Sequence, residues 1–481
     1  MWMRAAALVF TGLLAAWIIT QPRPRNALVP LILSGLNGVP LLMLGNSANG
    51  SIFSVDVALV VFVLRFGLSD GRHMVWWAGR TGVLTTFLIL VLWTTASSAI
   101  ACLTEPALGK FAAYGTARWW MFLVMVVAFF GQRLSEKEWL RQLRRLALIL
   151  APYAFLCLAH QYGVVDLAAD ETLGDRTAEA IEAQRDSQDT DLAAGHRRFL
   201  GMTSANIGSV CALGAWVPLV LWARTRRGSY VWLPLAIVMC MALVGTWSRS
   251  NVLGMGAALA VGIGLYLRFL TGTGRLAIGA VALGVAAAGL IFYMTTPGSL
   301  ETPTLDRYVG ALSEYSRQGD GTGGHRYREH QAILSYLLDH PHVAVFGLGA
   351  NGYRRLMWCG AASMMFGHNA FLHTIYELGA PGLVLLGLWL WRIARPGMPP
   401  HAADHASGRS QGHETGVLIL TLVVQRLAAG WGADTLFATE GMLQANVLFI
   451  ALAGMAYSSR NVIVPAGTRE PVGCCLSVQA A

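Results

Sequence analysis

The stretch GVLTTFLILVLWTTASSAIACL, residues 82–103, decides the fold class of this chain. It contains no acidic or basic side chain, and as an α-helix it is long enough to cross a hydrocarbon core of roughly 30 Å. Similar apolar runs recur along the chain and make about thirteen candidate spans, at roughly 5–20, 27–45, 51–68, 82–103, 116–131, 146–165, 203–223, 231–247, 251–269, 276–295, 367–391, 416–429 and 439–457. We therefore predict an all-α polytopic membrane protein with about 12–13 transmembrane helices.

The composition points to the same class. Of the 481 residues, 55% are hydrophobic and 13% are charged, whereas soluble domains carry about 25% charged residues. These values exclude a soluble multidomain enzyme, a secreted disulfide scaffold and a disordered chain. The net charge of +9 would suggest a nucleic-acid partner in a soluble protein, but here the bases lie mostly in short loops between apolar runs, so we expect none.

Basic residues are unevenly divided between alternate loops. Eighteen lie in one set, at Arg23, Arg25, Arg65, Arg72, Arg80, Arg133, Lys137, Arg141, Arg144, Arg145, Arg224, Arg226, Arg227, Arg268, Arg275, Arg392, Arg395 and Arg409. The short loops and span ends of the opposite set hold four, namely Lys110, Arg118, Arg249 and Arg426. Because cytoplasmic loops carry the excess of bases, the first set is predicted to be cytoplasmic.

This orientation divides the chain into six segments. They are N-terminal transmembrane helices (1–165), an acidic periplasmic loop (166–202), central transmembrane helices (203–295), a large periplasmic loop with short helices (296–366), C-terminal transmembrane helices (367–457) and a cytoplasmic tail (458–481).

Four side chains are brought by this topology to the outer membrane–water boundary: Arg198, Arg249, Arg326 and His368. Guanidinium groups bind phosphates bidentately and stay charged at any relevant pH, so the three arginines suit the diphosphate of an isoprenoid-linked donor. The alternative is that each arginine snorkels to the interface or binds ordinary headgroups. Of the three, Arg249 is the strongest candidate for binding a ligand, because the turn between its two neighbouring spans is too short to need a charged residue.

His368 opens the eleventh candidate span. An imidazole with a pKa near 6.5 suits removal of a proton from a sugar hydroxyl, although a polar residue at a helix start needs no catalytic role. After it, Asn369, His373 and Glu377 are spaced i, i+4 and i+8 and share one helix face. A polar stripe within an apolar span predicts a face turned to the bundle interior, where these side chains support the site or bond between helices.

Four segments resemble the O-antigen ligase and polysaccharide polymerase family of bacterial envelope enzymes. They are RFLGMTSANIG (198–208), TWSRSNVLGM (246–255), HRYREHQAILSYLLDHPHVAVFGLGANGY (325–353) and GHNAFLHTIYELGAPGL (367–383). Their order and spacing agree with the family over about residues 195–390. Three features depart from it: His330 replaces the usual aromatic residue, Val345–Phe346 precedes the Gly-x-Gly in place of a leading Gly, and 352–366 has no counterpart.

The resemblance implies a GT-C-type fold and glycan transfer at the periplasmic face of the bacterial inner membrane. An oligosaccharide or polysaccharide on undecaprenyl diphosphate would pass to a hydroxyl of lipid A–core or of a growing glycan. Arg198, Arg249 and Arg326 would hold the diphosphate and His368 would activate the acceptor. The resemblance implies no metal ion and no cofactor. Ligation and polymerisation use the same chemistry, so both remain open.

Three other functions compete with this one. Asp189 and Asp191 form a DxD, as in metal-dependent glycosyltransferases, but two such residues arise easily in an acidic loop. Ser248 or Ser250 with His368 could make a serine hydrolase, although no Gly-x-Ser-x-Gly elbow is present. A lipid-linked-sugar flippase or other transporter is expected to show charges in mid-span, whereas the charges here gather at span ends.

Overall fold

The computed structural model describes residues 2–43, 51–80, 82–104, 109–161, 164–165, 204–224, 229–246, 248–267, 322–352, 369–395, 410–430 and 442–460. The α-helices in these ranges are α1 Trp2–Thr20, α2 Leu28–Gly35, α3 Ser54–Phe66, α4 Gly71–Arg80, α5 Val83–Thr104, α6 Gly109–Phe130, α7 Glu136–Gln161, α8 Ser204–Arg224, α9 Ser229–Gly245, α10 Arg249–Leu267, α11 Thr322–Asp339, α12 Pro341–Phe346, α13 Ala370–Ala394, α14 Ser410–Gly430 and α15 Leu443–Arg460. A 3₁₀ turn, Pro24–Asn26, precedes α2, and strands β1 Leu42–Met43 and β2 Ser51–Ile52 pair antiparallel.

The helices are those of a polytopic membrane protein, and the predicted all-α class is confirmed. Five are long and apolar enough to cross a membrane: Val83–Thr104, Ala112–Phe130, Glu136–Gln161, Asn206–Arg224 and Ala370–Ala394. Shorter apolar helices in the described residues are Arg4–Thr20, Tyr230–Gly245, Ser250–Leu265, Thr415–Gly430 and Leu443–Ser459. The candidate span at 276–295 and the acidic segment 166–202 lie outside the described residues.

One predicted span, 27–45, is wrong as a continuous helix. Helix α2 ends at Gly35 and is followed by a turn in which the Asn37 side chain accepts the Val39 N–H (3.1 Å). Hydropathy counts this region as apolar, but an Asn-Gly-Val-Pro sequence favours a turn over a helix. The irregular backbone is held by protein, since Asn37 Nδ2 donates to Ser54 Oγ (2.9 Å).

Contacts between helix ends define two ends of the bundle. At the basic end, Arg65 donates to the carbonyl of Gln21 (3.3 Å), Arg224 pairs with Glu136 (2.7 Å) and Arg392 donates to the carbonyl of Gly82 (3.2 Å). These contacts bring together the ends of α1, α3, α8 and α13 and the starts of α5 and α7. We call the other end, where α8, α10, α13 and α15 begin, the motif end.

Helix α15 lies at the centre of the bundle. All its residues from Leu443 to Ser459 are buried, and it packs against α2, α6, α7, α8 and α14. Close approach depends on glycine: a Cβ on Gly454 would lie 2.6 Å from Phe129 Cβ, and one on Gly35 would lie 2.3 Å from Val447 Cγ1. Small residues at helix contacts are typical of packing in lipid.

Candidate functional site

The start of α13 is set by Asn369. Its backbone is extended (φ −146°, ψ 109°), and its side-chain oxygen accepts the N–H groups of Phe371 (3.0 Å) and Leu372 (3.2 Å). This is the geometry of a helix N-cap, which satisfies donors that have no partner within the helix. Asn369 thereby determines where the helix begins, one residue after His368 in the sequence.

The polar stripe on α13 is buried in the bundle. Asn369, His373 and Glu377 are all at most 7% exposed. His373 Nε2 lies 3.3 Å from Glu377 Oε1, and its Nδ1 is hydrogen-bonded to the Tyr376 hydroxyl. With the imidazole proton on Nε2, facing the carboxylate, Nδ1 accepts from the tyrosine. The Tyr376 hydroxyl therefore holds Nδ1, while Nε2 lies beside the Glu377 carboxylate, whose Oε1 has no hydrogen-bond partner among the described residues.

Helix α13 is kinked at Gly379, which has φ 70° and ψ 177°. Only glycine adopts this conformation readily. Two residues later, Pro381 has no N–H to offer the carbonyl of Glu377. The kink thus leaves backbone oxygens at residues 376–378 to be satisfied from outside the helix.

Three donors supply these hydrogen bonds. They are the Leu348 N–H to the Tyr376 carbonyl (2.8 Å), the Ser97 hydroxyl to the Glu377 carbonyl (3.2 Å) and Trp93 Nε1 to the Leu378 carbonyl (2.6 Å). Two donors come from α5 and one from the loop after α12. Buried carbonyls without partners are costly, so α5 and this loop are coupled to the shape of α13.

The Gly-x-Gly loop, Gly347–Gly349, fits directly against the kink. Gly347 has φ 77°, and a Cβ there would lie 2.2 Å from the Glu377 carbonyl oxygen. Reciprocally, a Cβ on Gly379 would lie 2.1 Å from the carbonyl oxygen of Val345. The loop is also tied to α5, because Ser98 Oγ accepts the Ala350 N–H (3.0 Å). Two of the segments noted in the sequence, separated by a stretch without a counterpart, are therefore in backbone contact.

The other two segments also meet at the motif end. Ser209 Oγ on α8 donates to Asn251 Oδ1 (2.7 Å), and Asn251 Nδ2 donates to Ser248 Oγ (2.7 Å). A Cβ on Gly208 would lie 2.7 Å from Ser248 Cβ and 2.9 Å from Thr246 Oγ1. The start of α8, Asn206–Ser209, is thus packed against the Ser-Arg turn between α9 and α10.

Asn206 extends this cluster to the start of α15. Its side chain donates to Gln444 Oε1 and accepts the Ala445 N–H (3.1 Å). Gln444 Nε2 in turn donates to the carbonyl of Asn37 (3.5 Å), in the turn after α2. A buried polar network therefore joins α2, α8 and α15 at the motif end.

Of the four residues predicted to bind the donor or to react, the structure describes the backbone of two. Arg249 is the first residue of α10, and Arg326 lies in the first turns of α11. The side chains of both arginines lie outside the described residues, as do Arg198 and His368 entirely. Helix α11 packs against α12 and α13 through Ile333, Leu337, Val343 and Tyr376. The roles of the three arginines and His368 remain predictions.

Sequence reasoning missed a second buried cluster near the motif end. Arg118 on α6 is 4% exposed and pairs with Asp56 on α3. Its guanidinium also donates to the carbonyl of Ser51 (2.7 Å) and to the Tyr114 hydroxyl (2.6 Å). The sequence did contain a signal for this pair: Asp56 and Arg118 each stand in an apolar run, and charges in such runs usually pair with one another inside the bundle. Ser97 and Trp93 gave no such signal.

Within the described residues, no group of three or more histidines, cysteines, aspartates and glutamates could hold a metal ion. Asp189 and Asp191, the two aspartates of the DxD, lie outside them. The absence of a metal from the chemistry therefore stays a prediction.

Comparison with known proteins identifies one family. Residues 234–387 match the family model described as O-Antigen ligase. The match includes the Ser248-Arg249 turn, Arg326, the Gly-x-Gly loop and the His368-Asn369 pair. It confirms the resemblance to the O-antigen ligase and polysaccharide polymerase family. It supports glycan transfer of this general type in a multi-pass membrane protein. No curated protein matches the chain significantly.

Proposed function

We propose that this protein, with its O-antigen ligase domain at residues 234–387, transfers glycan from undecaprenyl diphosphate to an acceptor hydroxyl at the periplasmic face of the inner membrane. One observation carries the proposal. The described parts of the four motif segments, which span about 190 residues of sequence, lie in two packed clusters at one end of the bundle. An isoprenoid diphosphate presents its phosphates at such an end, because its tail occupies the bilayer.

The arginines would bind the donor. Arg249 is the first residue of α10, where the positive end of the helix dipole favours an anion. Arg198 and Arg326 belong to the same four segments. Diphosphate is a good leaving group, and guanidinium groups stabilise the charge that develops on it as the anomeric C–O bond breaks. No step in this scheme uses a metal ion or a nucleotide.

His368 would act as the general base. The acceptor oxygen attacks the anomeric carbon while the imidazole takes the hydroxyl proton, which is worth about 10²–10⁴-fold in rate. Asn369 supports this role by capping α13 one residue later. His373 and Glu377 are the next candidates if His368 is not the base; the Tyr376 hydroxyl already occupies Nδ1 of His373, and its Nε2 lies beside Glu377. We assign His373 and Glu377 to support of the α13 start.

Ligation to lipid A–core is the proposed reaction, and polymerisation of lipid-linked repeat units is the alternative. Deletion of the gene followed by gel analysis of surface polysaccharide separates them. A ligase loses all capped lipopolysaccharide and leaves long chains on the lipid carrier. A polymerase leaves single repeat units.

The decisive test of the chemistry uses purified protein in vesicles with a lipid-linked glycan and an acceptor. The His368→Ala variant should still bind the donor, yet transfer glycan at least about a hundredfold more slowly. Its residual activity should lose the acidic limb of the pH–rate profile, near pH ~6–7 for an unperturbed imidazole. His342→Ala is the matched control, since His342 is exposed on α12 at the same end.

Two results would overturn the proposal. One is movement of the lipid-linked glycan across the vesicle membrane with no new glycosidic bond, which would indicate a transporter. The other is transfer by His368→Ala at the rate of His342→Ala, which would remove the base. Loss of transfer after chelation of divalent cations would favour the metal-dependent alternative.

A further inference from the structure

A cavity of about 380 Å³ opens at the basic end of the bundle, away from the motif end. It lies between the segment that follows α1 and the first turns of α7, and it is lined by Pro22, Arg23, Arg25, Asn26, Glu138, Arg141 and Gln142. A space of this size accommodates a small polar group. The proposed transfer reaction makes no use of it.

The cavity is built around an oriented arginine. Arg25 Nη1 pairs with Glu138 Oε1 at 2.6 Å, and Gln142 Nε2 donates to the Arg25 carbonyl at 3.0 Å. Glu138 is itself held by the Ser135 N–H and hydroxyl, both at 3.0 Å. The guanidinium is therefore positioned before any ligand arrives, which lowers the entropic cost of binding.

The charge of the lining favours an anion. Three arginines face one carboxylate, and the first turn of α7 adds the positive end of a helix dipole. Arg23 and Arg141 are exposed and so have donors available to an incoming group. Guanidinium groups match phosphate oxygens in pairs, so phosphate is the anion that this lining suits best.

The depth of the cavity indicates which phosphate. Helix α7 is strongly polar from Glu136 to Arg145 and apolar from Leu146 onward. Arg141 precedes Leu146 by five residues, or about 7.5 Å along the helix axis. The headgroup region adds roughly 5–7.5 Å on each side of the hydrocarbon core, so Arg141 lies at its outer part. Basic pockets at this level bind anionic headgroups.

We propose that this cavity binds the phosphate headgroup of an anionic glycerophospholipid, such as phosphatidylglycerol or cardiolipin, from the leaflet at the basic end. Arg23 and Arg141 contact the phosphate, while the Glu138–Arg25 pair fixes the wall of the site. The site is independent of glycan transfer and of which side of the membrane the basic end faces.

The test measures lipid binding to the purified full-length protein in detergent. Cardiolipin and phosphatidylglycerol are titrated in mixed micelles, with phosphatidylcholine as the zwitterionic reference, and binding is followed by native mass spectrometry. Each arginine near a headgroup contributes about 1 kcal/mol, so Arg23→Gln combined with Arg141→Gln should weaken cardiolipin binding about 30-fold. Arg72→Gln, at an exposed arginine of the same end outside the cavity, should weaken it by no more than the roughly fivefold that one arginine near the membrane surface contributes.

Three outcomes would overturn the proposal. The first is equal binding of anionic and zwitterionic lipids. The second is a double variant that binds cardiolipin as tightly as Arg72→Gln does, while eluting as a monodisperse protein. The third is full displacement of the lipid by millimolar inorganic phosphate, which would identify a site for free phosphate instead of a headgroup.

Discussion

Replacing Gly379 by alanine tests whether the kink in α13 organises the motif end. At φ 70° and ψ 177°, a non-glycine residue costs about 1–3 kcal/mol in backbone strain. The new Cβ would also lie 2.1 Å from the carbonyl oxygen of Val345, so the end of α12 and the Gly-x-Gly loop after it must move away. That movement breaks the Leu348–Tyr376 backbone hydrogen bond, and a buried carbonyl left without a partner costs about another 1–3 kcal/mol.

We therefore expect Gly379→Ala to lower the free energy of unfolding by about 2–6 kcal/mol. The measurement is unfolding in mixed micelles of increasing SDS fraction, followed by tryptophan fluorescence. Gly387→Ala is the matched control, because Gly387 lies on the same helix and a Cβ added there would meet no atom within 4 Å. Alanine there should leave stability unchanged or raise it by up to ~1 kcal/mol. Equal unfolding of the two variants would refute the reasoning.

Three further predictions address the rest of the molecule. Asp56→Asn leaves the buried Arg118 without its counter-charge and should cost about 3–5 kcal/mol, measured by the same unfolding assay; no loss would show that the pair is not needed. Cysteines placed at Asp186 and Gly321 should react with an impermeant maleimide in intact spheroplasts, and protection of both would invert the predicted topology. Arg249→Lys should reduce glycan transfer about ten- to hundredfold, because lysine cannot bind a phosphate through two parallel hydrogen bonds. Full activity of this variant would mean that the Arg249 side chain only extends to the membrane interface and does not bind the donor.

The sequence sufficed for the membrane class, because the length and hydropathy of a span are local properties. It also predicted the shared face of Asn369, His373 and Glu377, since helical periodicity places residues four apart on one side. It failed at 27–45, where apolar content concealed a turn. There the Asn37 side chain and the following Gly and Pro outweigh hydropathy, and the freed backbone is satisfied by distant residues.

The donors around the α13 kink could not be predicted from the sequence. Ser97 and Trp93 are separated from their acceptors by 280 and 285 residues, and a serine or tryptophan in an apolar span has many possible partners. Likewise, the pairing of Arg118 with Asp56 depends on α3 and α6 lying side by side. Their charges were visible in the sequence, but their distance was not.

By itself, the sequence determined the all-α membrane class, the alternation of basic loops and the family of residues 234–387, because these depend on composition, periodicity and motif order along the chain. Only the tertiary structure decided that the Gly-x-Gly loop packs on the kink at Gly379 and that the Asn206 segment packs on the Ser-Arg turn. It alone also placed Arg25 beside Glu138 to form a cavity. The physical reason is that these contacts join backbone groups and side chains far apart in the chain, and helix packing determines which of them meet.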